Sequence, residues 1–183
     1  MSKVGELTED ELTRRLTYAA FVLLTFELLK DLIVKPVKSF YMRTSFGGGP
    51  FKSYDEDVLS RHRKEFEACL LYLRDFMEAI DSNDLQAIQN LREHRNELAH
   101  DLRNRLPNLQ LESYSQLFEE VNTALFKLSN YRTYMEIGSD PEFKKLGIDW
   151  DAVKGHEYLI FEDVLGKLRA LMDVTPRRKP WEQ

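Results

Sequence analysis

The chain is poor in the residues that staple or punctuate a fold. A single cysteine, Cys69, excludes an internal disulfide framework and a cysteine-based zinc site. Only 6 prolines and 8 glycines stand among 183 residues, which argues against disorder, collagen-like structure and turn-rich all-β architectures. Long apolar runs are missing. The longest, Ala19 to Leu24, is broken by Thr25 and then Glu27, far short of the roughly 20 residues that a membrane-spanning helix needs. The polar stretch from Met1 to Glu11 lacks the layout of a secretory signal, so the expected setting is cytoplasmic. Positive charge is not in excess either. Lys and Arg number 26 against 31 for Asp and Glu, a formal net charge of −5. That balance disfavours avid, non-specific duplex binding, which needs a broad basic field, and leaves room only for a small local RNA site.

What is present is helical periodicity almost throughout. The length suits one domain over residues 1–183, with 43% hydrophobic residues and enough chain to bury a core without staples. The first segment runs from about Thr8 to Val34. Thr8 with Glu11 three residues later has the form of a capping box, and Leu12, Leu16, Ala19, Ala20, Leu23, Leu24, Phe26 and Leu28 give it a broad apolar face. Pro36 is expected to end it, because proline has no N–H for the helical ladder and disfavours the α conformation at Lys35. A long connector over residues 35–53 follows, centred on Gly47-Gly48-Gly49-Pro50, with Phe40, Tyr41, Phe46 and Phe51 pinning it to the rest. The triple glycine is not a phosphate loop, since no Gly-Lys-Ser/Thr follows it.

Further segments are expected over residues 54–80, 84–106, 113–137 and 156–174. Cys69 falls in the apolar stripe of the second and reads as a small core residue; Arg61, His62, Arg63 and Lys64 read as a solvated charge run. Asp81, Ser82 and Asn83 form a break, Gly138 is placed to close the fourth segment, and a short turn is expected at 141–146. Residues 175–183 read as a frayed tail. His62 and His94 read as surface residues, Arg14 and Arg15 as water-facing, and Trp150 and Trp181 as packing anchors. Asp149, Asp151, Glu157, Glu162, Asp163 and His156 show no metal-ligand spacing, so neither a metal nor another cofactor is expected. The fold class is therefore all-α, an up-and-down bundle of about five helices with a Gly-rich connector after the first.

The third segment breaks its own pattern. Written as a stripe it reads Leu85, Ile88, Arg92, Arg95, Ala99, Leu102 and Leu106, apolar at both ends with two arginines in the middle. A buried guanidinium is costly unless paired, so these arginines either reach water past their aliphatic stems or serve a site. Arg92, Asn96, His100 and Arg103 follow at steps of four, four and three and share one face. Histidine suits proton transfer because it titrates near neutrality. Arginine suits a phosphate because its planar fork donates two parallel hydrogen bonds.

Arg95-Asn96-Glu97-Leu98-Ala99-His100 resembles the Arg-x4–6-His signature of HEPN domains in its Arg-Asn-x-x-x-His form. Its place deep in a long helix, in an all-helical chain of this size, is similar to that family too. The resemblance implies a helical bundle that dimerises through the motif helix, here residues 84–106, so that two motifs meet across a two-fold axis. It further implies a metal-independent endoribonuclease acting on RNA, in host defence against phage or in a toxin–antitoxin system with an antitoxin partner. Arg95 and His100 would be the catalytic pair. Asn96, Arg92 and Arg103 would support them or hold RNA. Leu102 stands where some members carry a tyrosine that is modified, so that mode of control is not expected. Other members are inactive and serve as dimerisation or binding modules, which is the second reading carried forward.

The chemistry fits these side chains. A neutral histidine can take the proton of a ribose 2′-hydroxyl, the alkoxide attacks the adjacent phosphorus, and the 5′-oxygen leaves, giving a 2′,3′-cyclic phosphate. An arginine stabilises the charge on the phosphorane. On a straight helix, residues i and i+5 differ by about 140°, so Arg95 and His100 of one chain do not point together. A site shared between two copies removes that obstacle.

Overall fold

In the computed structural model the described residues are 3–44, 47, 49–110, 115–138 and 140–172. Their regular structure is helical, with no strand among them. The tail at 175–183, Phe46, Gly48 and Trp181 lie outside the described residues.

Helix α1 spans Glu9–Arg43, 35 residues and hence about 50 Å. Its start is the capping box: the Thr8 Oγ1 accepts from the Glu11 N–H at 3.2 Å, and the Glu11 carboxylate accepts from the Thr8 N–H at 2.9 Å. Tyr18, Val22, Leu29 and Ile33 are fully buried along it. The expected stop at Pro36 does not occur, and α1 runs straight through to Arg43. The proline removes one ladder bond and crowds the preceding turn, at about 3 kcal/mol. Burial beyond it offsets that cost. Val37 is buried, and Tyr41 packs against Tyr54 and Tyr72 while donating to Asp57 at 2.8 Å. Each large side chain so buried contributes about 1.5–3 kcal/mol. Phe40 and Tyr41 are therefore helical residues, and the expected connector starts no earlier than Thr44. Phe51 still pins it, edge-on to Phe40 and Phe76.

The second expected segment is divided into α2 (Tyr54–Asp57), a 3₁₀ turn (Leu59–Arg61) and α3 (Glu65–Asp75). The break falls in the basic run. Arg61 Nε donates to the Asp57 carbonyl at 2.6 Å, and the extended His62 accepts from the Lys64 N–H at 3.1 Å. These local bonds compete with helix continuation. Cys69 is buried in the core as expected.

Helix α4 spans Ser82–Arg105, α5 Ser115–Ile137, α6 Pro141–Lys144 and α7 His156–Met172. The described chain thus has seven α-helices, two of them single turns, rather than five. Asp81 caps α4 by accepting from the N–H groups of Asn83 and Asp84, while Asp84 accepts from the Asp81 N–H. Lys127 of α5 donates to both carboxylates, tying the start of α4 to its neighbour. At its far end Arg15 donates to the Leu106 carbonyl at 2.8 Å and also to that of Pro107. Arg15 is thus a cap for orphan carbonyls and not a water-facing charge. Gly138 follows α5, but its backbone is not left-handed; a side chain there would strike the Tyr134 ring and carbonyl.

The long helices α3, α4, α5 and α7 all pack on α1, and α5 also packs on α4 and α7. One apolar cluster runs from Tyr18 to Leu168 and joins these elements. Among the described residues no helix is long and apolar enough to cross a membrane.

The Asp81 cap yields a test. Its carboxyl is held down to about 2, first by the hydrogen bond from Lys127 and then by the α4 backbone N–H groups. The stability it contributes is present above the ordinary carboxylate range and is lost as pH falls toward 2. Asp81→Ala should lower unfolding free energy at pH 7 by about 0.5–2 kcal/mol. In urea titrations the gap to wild type should narrow steadily below pH 4; a gap that stays constant with pH would refute this origin.

Candidate functional site

The core face of α4 is Ala87, Ile88, Leu91, His94 and Leu98, rolled away from the stripe that the sequence suggested. Arg92 and Arg95 sit at its edge, half-buried, and Ala99 is exposed. The reason is electrostatic. A roll that centred both guanidinium groups in the core would strip them of water, whereas at the edge each reaches a carboxylate of a neighbouring helix.

Arg92 pairs with Glu67 of α3, donates to Gln89 at 3.0 Å and lies over the Phe66 ring. Arg95 lies over the Phe26 ring at 5.3 Å, faces Glu27 of α1 at 3.6 Å and donates to the Asn96 side-chain oxygen at 3.2 Å. Its Nε is buried with no hydrogen-bond partner. These side chains line an open hollow of about 280 Å³, joined by Lys30 and Lys64. Three of the expected site residues, Arg92, Arg95 and Asn96, are therefore brought together between α1, α3 and α4.

His100 and Arg103 are not in that hollow. His100 is exposed and takes no hydrogen-bond partner among the described residues. The helical dihedrals break directly after it, at Asp101 (φ −138°, ψ 36°), whose carboxylate accepts from Asn104. Arg103 is exposed beyond this break, and Arg105 is paired with Glu97 at 2.9 Å. Arg92, Arg95, Arg103 and Arg105 do not form a continuous basic track in one chain, because three of the four carry a carboxylate partner.

The buried histidine of α4 is His94, which had read as a surface residue. Only 7% exposed, its Nε2 lies 2.9 Å from the hydroxyl of the fully buried Tyr18. The spacing Ala87, Leu91, His94, Leu98 carried that signal at steps of four, three and four. Burial holds the imidazole below its ordinary value of 6.5, which favours its neutral form. The acidic residues near α7 are engaged structurally. Asp149 caps a 3₁₀ turn, Glu157 pairs with Arg132, Glu162 with Lys154, and Asp163 with Lys167.

Compared with family models, with curated proteins and with solved structures, the chain matches none.

His94 makes a pH prediction with a defined sign. A histidine whose folded value is depressed destabilises the fold as pH drops below the unfolded value near 6.5, because the unfolded chain binds the proton first. Wild type should lose stability between pH 6.5 and 5, and His94→Phe should flatten that slope in urea midpoints. An equal slope in both proteins would show that another group controls it.

Proposed function

We propose that this chain is a HEPN-like, RNA-directed protein that acts as a homodimeric, metal-independent endoribonuclease. One observation carries the reading. His100 stands exposed on α4, with no hydrogen-bond partner among the described residues, one turn after Asn96, while the Arg95 guanidinium lies at the edge of an open hollow. A free imidazole and a positioned guanidinium on one helix are what transphosphorylation of RNA requires, and their different directions call for a second copy.

In this reading His100 of one copy removes the ribose 2′-proton. Arg95 of the other stabilises the charge that grows on the phosphorane oxygens, with Asn96 holding the guanidinium. The second His100 protonates the departing 5′-oxygen. Arg92 and Arg103 guide the flanking phosphates. The family resemblance extends this to a cytoplasmic role in phage defence or a toxin–antitoxin pair.

A second reading is a non-catalytic dimerisation or binding module. It is favoured by the carboxylates already seated against Arg92 and Arg95, which a ligand's anionic groups would replace.

The deciding assay is cleavage of mixed-sequence RNA in EDTA, with end analysis and dimer mass. Wild type should leave 2′,3′-cyclic phosphates. His100→Ala should lower the rate about 10²–10⁴-fold and Arg95→Ala about 10²–10³-fold, at unchanged helicity. An intact dimer without cleavage supports the binding module instead.

A further inference from the structure

One side of α1 is uncharged although it faces solvent. Between Glu11 and Glu27 its exposed residues are Thr13, Leu16, Thr17, Ala20, Leu23 and Leu24. The only charges in that span, Arg14 and Arg15, are half-buried on other sides of the helix, and Arg15 is committed to the end of α4. Leu16, Leu23 and Leu24 remain 43%, 37% and 38% exposed. Single apolar residues scattered over a surface need no partner, but three leucines within nine residues, with no charge on their side, form a contact patch.

The spacing is that of a helix–helix seam. Thr13, Leu16, Ala20, Leu23, Glu27 and Lys30 follow at alternating steps of three and four. Ala20, at the centre, is small enough to let two backbones approach. Charge is confined to the two ends and differs in sign. Glu9 and Asp10 stand exposed at the start. At the other end Lys30 and Arg95 share the single carboxylate of Glu27, so positive charge is left over. Such a seam complements itself when two copies run antiparallel. Leu16 then meets the partner's Leu24, and Lys30 meets the partner's Glu9 and Asp10. The seam also lies beside the motif helix, because Glu27 and Lys30 line the same hollow as Arg95 and Asn96. Helices α1 and α4 run antiparallel, with Arg15 beside Leu106 and Glu27 beside Arg95. The centre of the seam is therefore level with His100 and Asp101.

We propose that two copies of this chain associate antiparallel through α1, about a two-fold axis that crosses at Ala20. Three partly exposed leucines cover less than the roughly 800 Å² per partner that a stable interface buries. The exposed side of α4 at the same level, from Ala99 to Arg103, therefore joins the contact. Helix α1 forms the seam and the motif helix flanks it, rather than the motif helix alone joining the copies. Both His100 residues come to the height of the axis. Their use in cleavage rests on the nuclease reading, and the association does not.

The test is sedimentation of the full chain without RNA over a range of micromolar concentrations, with circular dichroism as the folding control. Wild type should pass from monomer to dimer mass as concentration rises. Ala20→Glu sets like charges against each other at the axis and should weaken association at least about a hundred-fold at unchanged helicity. Ala20→Lys should do the same. An equimolar mixture of the two variants should form a heterodimer, because opposite charges then meet at the axis, and misfolding cannot produce that recovery. Lys30→Glu, at an exposed end, should weaken association only about two- to five-fold. A wild type that stays monomeric overturns the proposal and leaves the face to a different partner. So does a dimer indifferent to both Ala20 variants, or a mixture of them that stays monomeric. RNA cleavage is read separately. An α1-linked dimer that leaves RNA intact refutes the nuclease reading alone, and cleavage by a dimer that tolerates Ala20→Glu refutes this seam alone.

Discussion

Burial of α1 on several sides is the constraint from which the other placements follow. The four other long helices pack on it, and its Tyr18, Val22, Leu29 and Ile33 are fully enclosed. A helix about 50 Å long would stand free in water over much of its length unless neighbours covered it. The C-terminal third is covered by α3 and by the aromatic cluster around Tyr41, Tyr54 and Tyr72, which is why Pro36 does not end it. The N-terminal third is fastened to the end of α4 by Arg15 and to its middle by the Tyr18–His94 contact.

That fastening determines what α4 can display. With His94 and Leu98 turned toward α1 and α5, the arginines fall to the boundary between core and solvent. There, Phe26 and Phe66 pack under the guanidinium planes and Glu27 and Glu67 balance their charge. An arginine in this position is ordered without being lost to the core. His100 falls on the open side, just before the backbone departs from helical geometry at Asp101. The two halves of the proposed catalytic pair are thus supported differently. Arg95 is held by tertiary contacts, and His100 is exposed.

The electrostatics are local throughout. Most ion pairs join adjacent turns or adjacent helices, and the exposed ones contribute little each. Lys127 differs because it bridges the Asp81–Asp84 capping box and so couples the start of α4 to α5. Gly155 has a related role: a side chain there would collide with Ser129 and Thr133 of α5, so the absence of a Cβ lets the chain entering α7 lie directly on that helix.

Much of this was legible in the amino-acid sequence. The helical class, the box at Thr8 and Glu11, the core position of Cys69 and the Asp81 break all follow from local rules: side-chain period, capping chemistry and residue volume. Those rules act within a turn or two of the chain. Two features lay beyond them. Whether Pro36 ended α1 depended on what Val37 and Tyr41 could bury against, and their partners come from α2 and α3. Which histidine of α4 was buried depended on a small roll about the helix axis that the pattern of apolar residues left open, because arginine stems count as apolar or polar according to their neighbours. Glu27 and Glu67 settled that roll by pairing with Arg95 and Arg92 from positions 68 and 25 residues away in the chain. Charge compensation across such separations is a property of the packed structure, and only the tertiary arrangement could decide it.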